Sequence, residues 1–222
     1  MSSKVKELQL AGPVNQASSR GTLFVVSSPS GGGKGTLIRH VLDVVENLSY
    51  SVSYTTRAPR PTEVNGREYF FISRDEFEQR IAAGDFLEYA NVHGHLYGTS
   101  LAESRKVANM GRDLIVEVDV QGAASVRNLG LDSVSIFILP PSLETLRQRL
   151  LARGTDTAES LAVRLRNAPE ELSQYSSFDY VILNDDVDRA TSQLAAIISA
   201  ERARRSRQAD LVDDVVQKFK PN

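Results

Sequence analysis

The stretch Leu23-Phe24-Val25-Val26-Ser27-Ser28-Pro29-Ser30-Gly31-Gly32-Gly33-Lys34-Gly35-Thr36 constrains this chain more than any other. Apolar residues suited to a buried strand run into a glycine-rich loop ending in a lysine, and an apolar-periodic helix follows. Successive backbone N–H groups of such a loop point inward and the helix dipole favours anions, so the segment is predicted to cradle phosphate. Lys34 adds a point charge for β- and γ-phosphates. Ser30, Gly31, Gly32, Gly33, Lys34, Gly35 and Thr36 are the candidate residues for binding a nucleoside triphosphate.

The match to the P-loop pattern G-x-x-x-x-G-K-[ST] has two departures. Ser28 stands at the first glycine, which is mild because Ser tolerates many turn conformations. Gly35 stands where a magnesium-binding Ser or Thr is usual, and it has no hydroxyl. Magnesium is then expected to be held mainly by phosphate oxygens and water, with Thr36 or a more distant carboxylate as a further ligand; octahedral Mg²⁺ commonly keeps several waters. A Rossmann fingerprint fails, because Thr36 follows Gly31 and Gly33 where a third glycine is needed. The plain alternative is a glycine-rich turn that binds nothing.

At 222 residues the chain can form one sizeable domain, or a core with insertions. Its net charge of −2 argues against a general nucleic-acid binder, so an anion site must come from a local cluster of Arg and Lys. Without cysteine, disulfides and thiol catalysis are excluded. No apolar stretch approaches the roughly 20 residues of a membrane helix, and 1–20 lacks a signal-peptide core, so a cytoplasmic protein is expected.

Thr22–Ser27, Asp113–Val118, Val134–Leu139 and Tyr180–Leu183 read as strands of near-continuous apolar character. Such strands suit a parallel sheet covered on both faces. Helices are predicted at Lys34–Val45, Val120–Asn128, Leu143–Arg153 and from Asp188 onward. The alternation implies an α/β fold of the P-loop type, with helices on both faces of the sheet. The expected division is a flexible leader over 1–19, a core over 20–52 and 101–200, an α+β insertion over 53–100, and a charged helical tail over 201–222. A polar, Arg-bearing flap from Gly154 to Pro169 reads as a helical lid inside the core.

The insertion shows short segments at Ser51–Thr55, Glu68–Ile72, Phe86–Val92 and Leu96–Thr99. Ser73 with Glu76 and Ser100 with Glu103 are capping boxes, and Gly84 and Gly111 can end the two helices they start. Ser53, Arg57, Arg60 and Tyr69 fall close together, followed by Glu88, Tyr97 and Thr99. Guanidinium groups and Tyr hydroxyls would grip a dianionic phosphate. Glu88, in the largely apolar Phe86-Leu87-Glu88-Tyr89, needs a donor partner, and the Watson–Crick edge of guanine supplies two adjacent N–H groups. Ser53 and Thr99 could donate to the guanine carbonyl. Adenine presents an acceptor at N1 and would be rejected, since the mismatch leaves buried groups unpaired.

On these residues the chain resembles the guanylate kinases. The similarity rests on Thr55-Thr56-Arg57-x-x-Arg60, Glu63-Val64-Asn65-Gly66-Arg67-Glu68-Tyr69, Phe86-Leu87-Glu88-Tyr89-Ala90 and Tyr97-Gly98-Thr99. It continues through Asp119-Val120-Gln121-Gly122, Arg149 to Arg153-Gly154 and Val181-Ile182-Leu183-Asn184-Asp185-Asp186, about residues 20 to 200 in all. The resemblance implies phosphorylation of GMP, and of dGMP, by ATP with Mg²⁺ through direct in-line transfer. It assigns Arg57, Arg60, Tyr69 and Tyr97 to the GMP phosphate, and Ser53, Glu88 and Thr99 to the guanine. Asp119 resembles the acid near metal and GMP, and Asn184 a residue close to adenine. Arg149, Arg153 and Arg164 resemble the lid arginines that, with Lys34 and Arg57, serve the transfer itself. Glu117 departs from a frequent Asp and leaves open a direct metal role there. The expected partners are the two nucleotides, with neither membrane nor nucleic acid; a homodimer stays open.

Two alternatives come from other classes. Guanylate-kinase-like interaction modules keep the fold and bind peptides, but Lys34, Arg57, Arg60 and the lid arginines are retained here. A sugar-phosphate kinase would not need Ser53, Glu88 and Thr99. Other motifs carry less. His93 and His95 read as a surface turn, Asp185, Asp186 and Asp188 as a strand end and helix cap, and Arg202, Arg204, Arg205 and Arg207 as a solvated face.

Overall fold

The computed structural model of the chain describes residues 21–220 except His93, Thr155 and Asp156, and for Arg153 and Asp210 the backbone only. The predicted leader over 1–19, His93 and the side chain of Arg153 lie outside the described residues. Five strands form the central sheet: β1 (Leu23–Ser27), β2 (Leu48–Tyr50), β7 (Asp113–Glu117), β8 (Ser133–Leu139) and β9 (Tyr180–Leu183). All pair in parallel in the order β2-β7-β1-β8-β9, which puts β1 and the glycine-rich loop after it at the centre.

Burial on both faces follows from the apolar runs of the inner strands, whereas the edge strand β9 leaves Val181 and Leu183 exposed. Phe24 and Val26 point to one side with Ile115, Ile136, Ile138 and Ile182, packed on Leu37, Ile38 and Val41 of α1 (Lys34–Val44). Ala190, Leu194 and Ile198 of α7 (Val187–Arg202) complete that layer. Val25, Leu114 and Val116 point to the other side, against Ala123 and Val126 of α4 (Val120–Asn128). This period-two division within β1 is what a covered parallel sheet requires. The α/β class expected above is the observed one.

The second sheet joins β3 (Tyr54–Thr55), β4 (Phe70–Phe71), β5 (Phe86–Val92) and β6 (His95–Ser100) in the order β4-β3-β6-β5. Helix α2 (Arg74–Ala83) starts with Ser73 Oγ accepting from Glu76 N and ends at Gly84 in the left-handed region. Helix α3 (Leu101–Asn109) is capped by Ser100 in the same way.

Three expectations are corrected. Strand β2 was not foreseen, because three residues with Ser49 at their centre carry no apolar signal; their pairing with β7 decides the matter. Ser51, expected in the small sheet, instead donates its N–H to Ile115 O (3.0 Å) and prolongs the β2–β7 pairing. The helix expected as a lid, α6 (Ala158–Ser173), continues beyond Pro169, which sits inside it.

The segment expected as a charged tail begins inside the core. Glu201 is 1% exposed and accepts from Tyr180 Oη at 2.6 Å. It also pairs with Arg204 Nε (3.0 Å) and with Arg207, itself bonded to Asp132 Oδ1 (3.1 Å). Arg202 Nε meets Asp113 Oδ2 at 2.6 Å. Arg202 and Arg207 are tied to the body, whereas Arg204 and Arg205 stand exposed as a solvated face would have them. Beyond them α8 (Ala209–Lys218) stands exposed.

Removing one partner of a buried ionic group leaves the other desolvated and unpaired. Glu201→Ala should therefore cost about 3 kcal/mol in urea unfolding. The larger part should be recovered when Arg207→Met is added.

Candidate active site

The loop after β1 holds its shape because side chains are missing from it. Gly31 and Gly33 have φ of +89° and +99°. A Cβ on Gly31 would stand 2.9 Å from Leu150 Cγ, one on Gly32 2.7 Å from Ser28 Oγ, and one on Gly33 2.2 Å from Asn184 Nδ2. The loop backbone therefore lies directly on helix α5 (Leu143–Arg153) and on Asn184. Asn184 Nδ2 donates to Gly32 O at 2.8 Å, and Arg149 donates to Gly32 O (3.3 Å) and Asn184 O (2.8 Å). With that carbonyl drawn to the rear, the opposite face of the loop turns to the cleft.

Helix α1 begins at Gly33 without a side-chain cap, whereas α2 to α7 each start with one. Its first-turn N–H groups and dipole suit an anion. Lys34 Nζ lies 3.2 Å from Ser28 Oγ and 3.3 Å from Ser28 O. Ser28, the substitute for the usual first glycine, thus carries the lysine.

A cleft of about 470 Å³ runs from this loop to the second sheet. Its walls include Ser30, Lys34, Ser53, Arg57, Arg60 and Tyr69. Glu88, Tyr97, Asp119 and Arg164 join them, so most of the predicted residues share one cavity. Glu88 is 7% exposed and accepts from Thr99 Oγ1 at 2.7 Å. A register shift between Phe86 and Glu88 buries both Leu87 and Glu88 in succession. Burial pushes the Glu88 carboxyl up to about 7 against the hydrogen bond from Thr99, and the charge of Asp119 adds to the push. Burial likewise raises Asp119, which caps α4 by accepting from Gly122 N at 2.8 Å. A Cβ on Gly122 would come within 2.6 Å of Glu88 Oε2, so α4 presses on that carboxylate through a residue with no side chain.

The arginine pair has an organiser that sequence reasoning quoted without giving it a role. Glu63 Oε1 meets Arg57 Nη2 at 2.9 Å and Arg60 Nη1 at 3.3 Å, and its Oε2 accepts from Arg60 N at 2.8 Å. Burial opposes the Glu63 charge, yet Arg57 and Arg60 outweigh it and hold the carboxyl below its ordinary range. Arg57 also stacks 5.5 Å over the Tyr69 ring, and Tyr69 meets Tyr97 edge to face at 5.8 Å. The signal for Glu63 was its spacing, three residues after Arg60 in a turn.

Five of the predicted residues do not line the cleft: Gly32, Thr36, Thr99, Arg149 and Asn184. Arg149 and the 2%-exposed Asn184 stand behind the loop and do not line the cleft. Thr36 Oγ1 accepts from Arg39 Nη2 at 3.5 Å and is also outside the lining. Glu117 and Glu171, with no assigned role in the sequence, do line it. Among the described residues no group of three or more His, Asp or Glu side chains could hold a metal by itself.

A parallel sheet with a glycine loop and lysine at the end of its central strand, facing a second sheet whose Tyr97 and whose flanking Arg57, Arg60 and Tyr69 line the same cleft, defines a P-loop kinase architecture. The guanylate kinase family model matches residues 20–201. Guanylate kinase of Symbiobacterium thermophilum is 49% identical over 90% of this chain and 95% of its own length. That of Methylobacillus flagellatus is 48% identical over 90% of this chain and 99% of its own. The crystal structure of guanylate kinase from Anaplasma phagocytophilum superposes with a TM-score of 0.76 at 32% identity, covering 92% of this chain and 98% of that one. The chain belongs to the guanylate kinase family.

The packing against Asn184 and the positive φ make Gly33 intolerant of a side chain. Gly33→Ala should cost about 2 kcal/mol in denaturant unfolding. It should also abolish tripolyphosphate binding in calorimetry, which a stability loss alone would not do at low temperature.

Proposed function

We propose that this chain transfers the γ-phosphate of ATP to GMP, and to dGMP, giving the diphosphate and ADP. One observation carries the reading. A buried carboxylate, Glu88, with a hydroxyl donor beside it, shares a cleft with a lysine-bearing phosphate loop. The Glu88 carboxylate accepts from the two N–H groups of the guanine edge, and Thr99 and Ser53 offer hydroxyls to the same ring. Arg57 and Arg60, held by Glu63, and the hydroxyls of Tyr69 and Tyr97 take the GMP phosphate. The loop amides and Lys34 take the ATP phosphates. Arg164, bonded to Ser30 Oγ at the loop, neutralises charge at the transferring group. Arg149 and Asn184 act from behind by fixing the loop.

A phosphate oxygen of GMP attacks the γ-phosphorus in line, and no covalent intermediate with the protein is required. The chain's contribution is to bring two anions together and stabilise the charge. For magnesium, Gly35 offers no hydroxyl and Thr36 is turned to Arg39. The carboxylates of Glu117 and Asp119 line the cleft, and a Cβ on Gly35 would stand 3.4 Å from Glu117 Oε2. Such hard oxygen donors fit Mg²⁺ bound largely through phosphate and water. The ion supplies charge neutralisation on the phosphates when bound.

The test is ADP formation from MgATP with GMP, dGMP, AMP, UMP and ribose 1,5-bisphosphate in parallel. Turnover is expected with GMP and dGMP alone. Lys34→Ala should lower kcat by about 100-fold or more while GMP affinity is kept. Turnover that prefers another acceptor would overturn the guanine site.

The second expectation concerns pH. With its carboxyl held up to about 7, Glu88 is largely protonated at pH 6 and ionised at pH 8. Only the ionised form accepts from both guanine N–H groups. The KM for GMP should therefore fall as pH rises from about 6 to 8 and level off above. The phosphate of GMP titrates near pH 6 in every variant, with its second pKa at about that value. The part of the inflection that Glu88→Gln removes therefore belongs to Glu88. A KM profile of the same shape in both proteins would refute the assignment.

A further inference from the structure

Helix α6 reaches the phosphate loop at one residue through two side chains. Arg164 donates from Nη1 to Ser30 Oγ, and Glu171 Oε2 accepts from Ser30 N at 3.2 Å. The two side chains lie about two helical turns apart, on one face. On the same helix Leu161, Leu165 and the buried Ala168 pack on Leu146 and Leu150 of α5. Those same leucines lie under Gly31. Loop, α5 and α6 are thus one stack, and Ser30 is where the carboxylate and the guanidinium of α6 converge.

A carboxylate among groups that attract phosphate calls for a reason. Glu171 lines the cleft beside Ser30, Gly31, Lys34 and Arg164, where a negative charge opposes polyphosphate. It accepts from an N–H of the glycine-rich loop, the donor type that such loops offer to phosphate oxygens. One N–H serves one strong acceptor, so a phosphate oxygen seated there and Glu171 exclude each other.

We infer that Glu171 is a positioning residue whose carboxylate stands in for a phosphate oxygen at Ser30, holding the Arg164-bearing helix on the loop until polyphosphate takes that N–H. The inference rests on the cleft being the ATP phosphate seat described above. Arrival of the nucleotide then exchanges one anion for another at Ser30. The released helix keeps its apolar seat on α5 and turns Arg164 from Ser30 towards the incoming phosphates.

Calorimetric binding of tripolyphosphate tests this, together with amide hydrogen exchange along Ala158–Ser173. Glu171→Gln keeps the size of the side chain and removes its charge. It should bind tripolyphosphate about fivefold more tightly than the wild type, and α6 should exchange faster. Damage to the fold would not produce a gain in affinity. Glu171→Asp keeps the charge but falls short of Ser30, and should shift both readouts in the same direction, less strongly for affinity. Equal or weaker binding by both variants would overturn the inference while leaving the kinase reading intact. So would tighter binding with unchanged exchange, which would mean a charge effect without positioning. Failure of the wild type to bind tripolyphosphate would refute the phosphate seat itself and the inference with it.

Discussion

The structure turns on the contact between the backbone of Gly31, Gly32 and Gly33 and the groups behind it. Asn184, Arg149, Leu146 and Leu150 come from β9's end and from α5, far apart in sequence, yet all press on three residues that have no side chains. A loop of glycines is entropically costly to order, because glycine loses more freedom on folding than any other residue. Here the ordering is offset by packing and by the two donors on Gly32 O. The inner surface of the loop is then free for an anion. The placement of α5 and the position of Asn184 both back this one turn.

That arrangement also explains why the core was easily read from sequence and parts of the site were not. The central strands are buried on both faces, so their apolar runs are unbroken, and β9 and α4 lie where the pattern put them. Strand β2 has one buried residue and exists through pairing with β7, a signal that lies in its partner. Resemblance grouped Asn184 and Arg149 with nucleotide contacts because they belong with the loop. It does not distinguish the front of a loop from its back. Only the hydrogen bonds to Gly32 O make that distinction.

The second half of the cleft shows a related limit. Arg57, Arg60, Tyr69 and Glu88 were legible because charged and phenolic groups in short, partly apolar segments are unusual. Glu63 was quoted in the same motif but was silent about its task. An acid near two arginines in sequence is ordinarily a surface ion pair of little consequence. Burial changes that here, since side-chain exposures of 13% for Arg57 and 10% for Glu63 leave the pair only slightly screened. Glu63 therefore fixes both guanidiniums beside the second sheet before any phosphate reaches them, which lowers the ordering cost of binding. Gly122 was unreadable for the opposite reason. Its importance is the space it leaves for Glu88, and space has no sequence signal.

Charge layout joins these observations. A chain of net charge −2 builds an anion site by sorting charges within one cavity rather than by being basic. Lys34, Arg57, Arg60 and Arg164 stand where phosphates are expected, while Glu88 and Asp119 sit deeper, against α4. Burial raises the proton affinity of both acids and the charge of Asp119 adds to it at Glu88, so the ionised state of Glu88 is costly unless donors reach it. A guanine edge brings two such donors, and an adenine edge brings an acceptor that would face the same carboxylate. On the proposed reading, discrimination comes from the penalty on the wrong base more than from attraction to the right one. That penalty exists only because the register shift at Phe86, the absent side chain of Gly122 and the packing of α4 together keep water from Glu88.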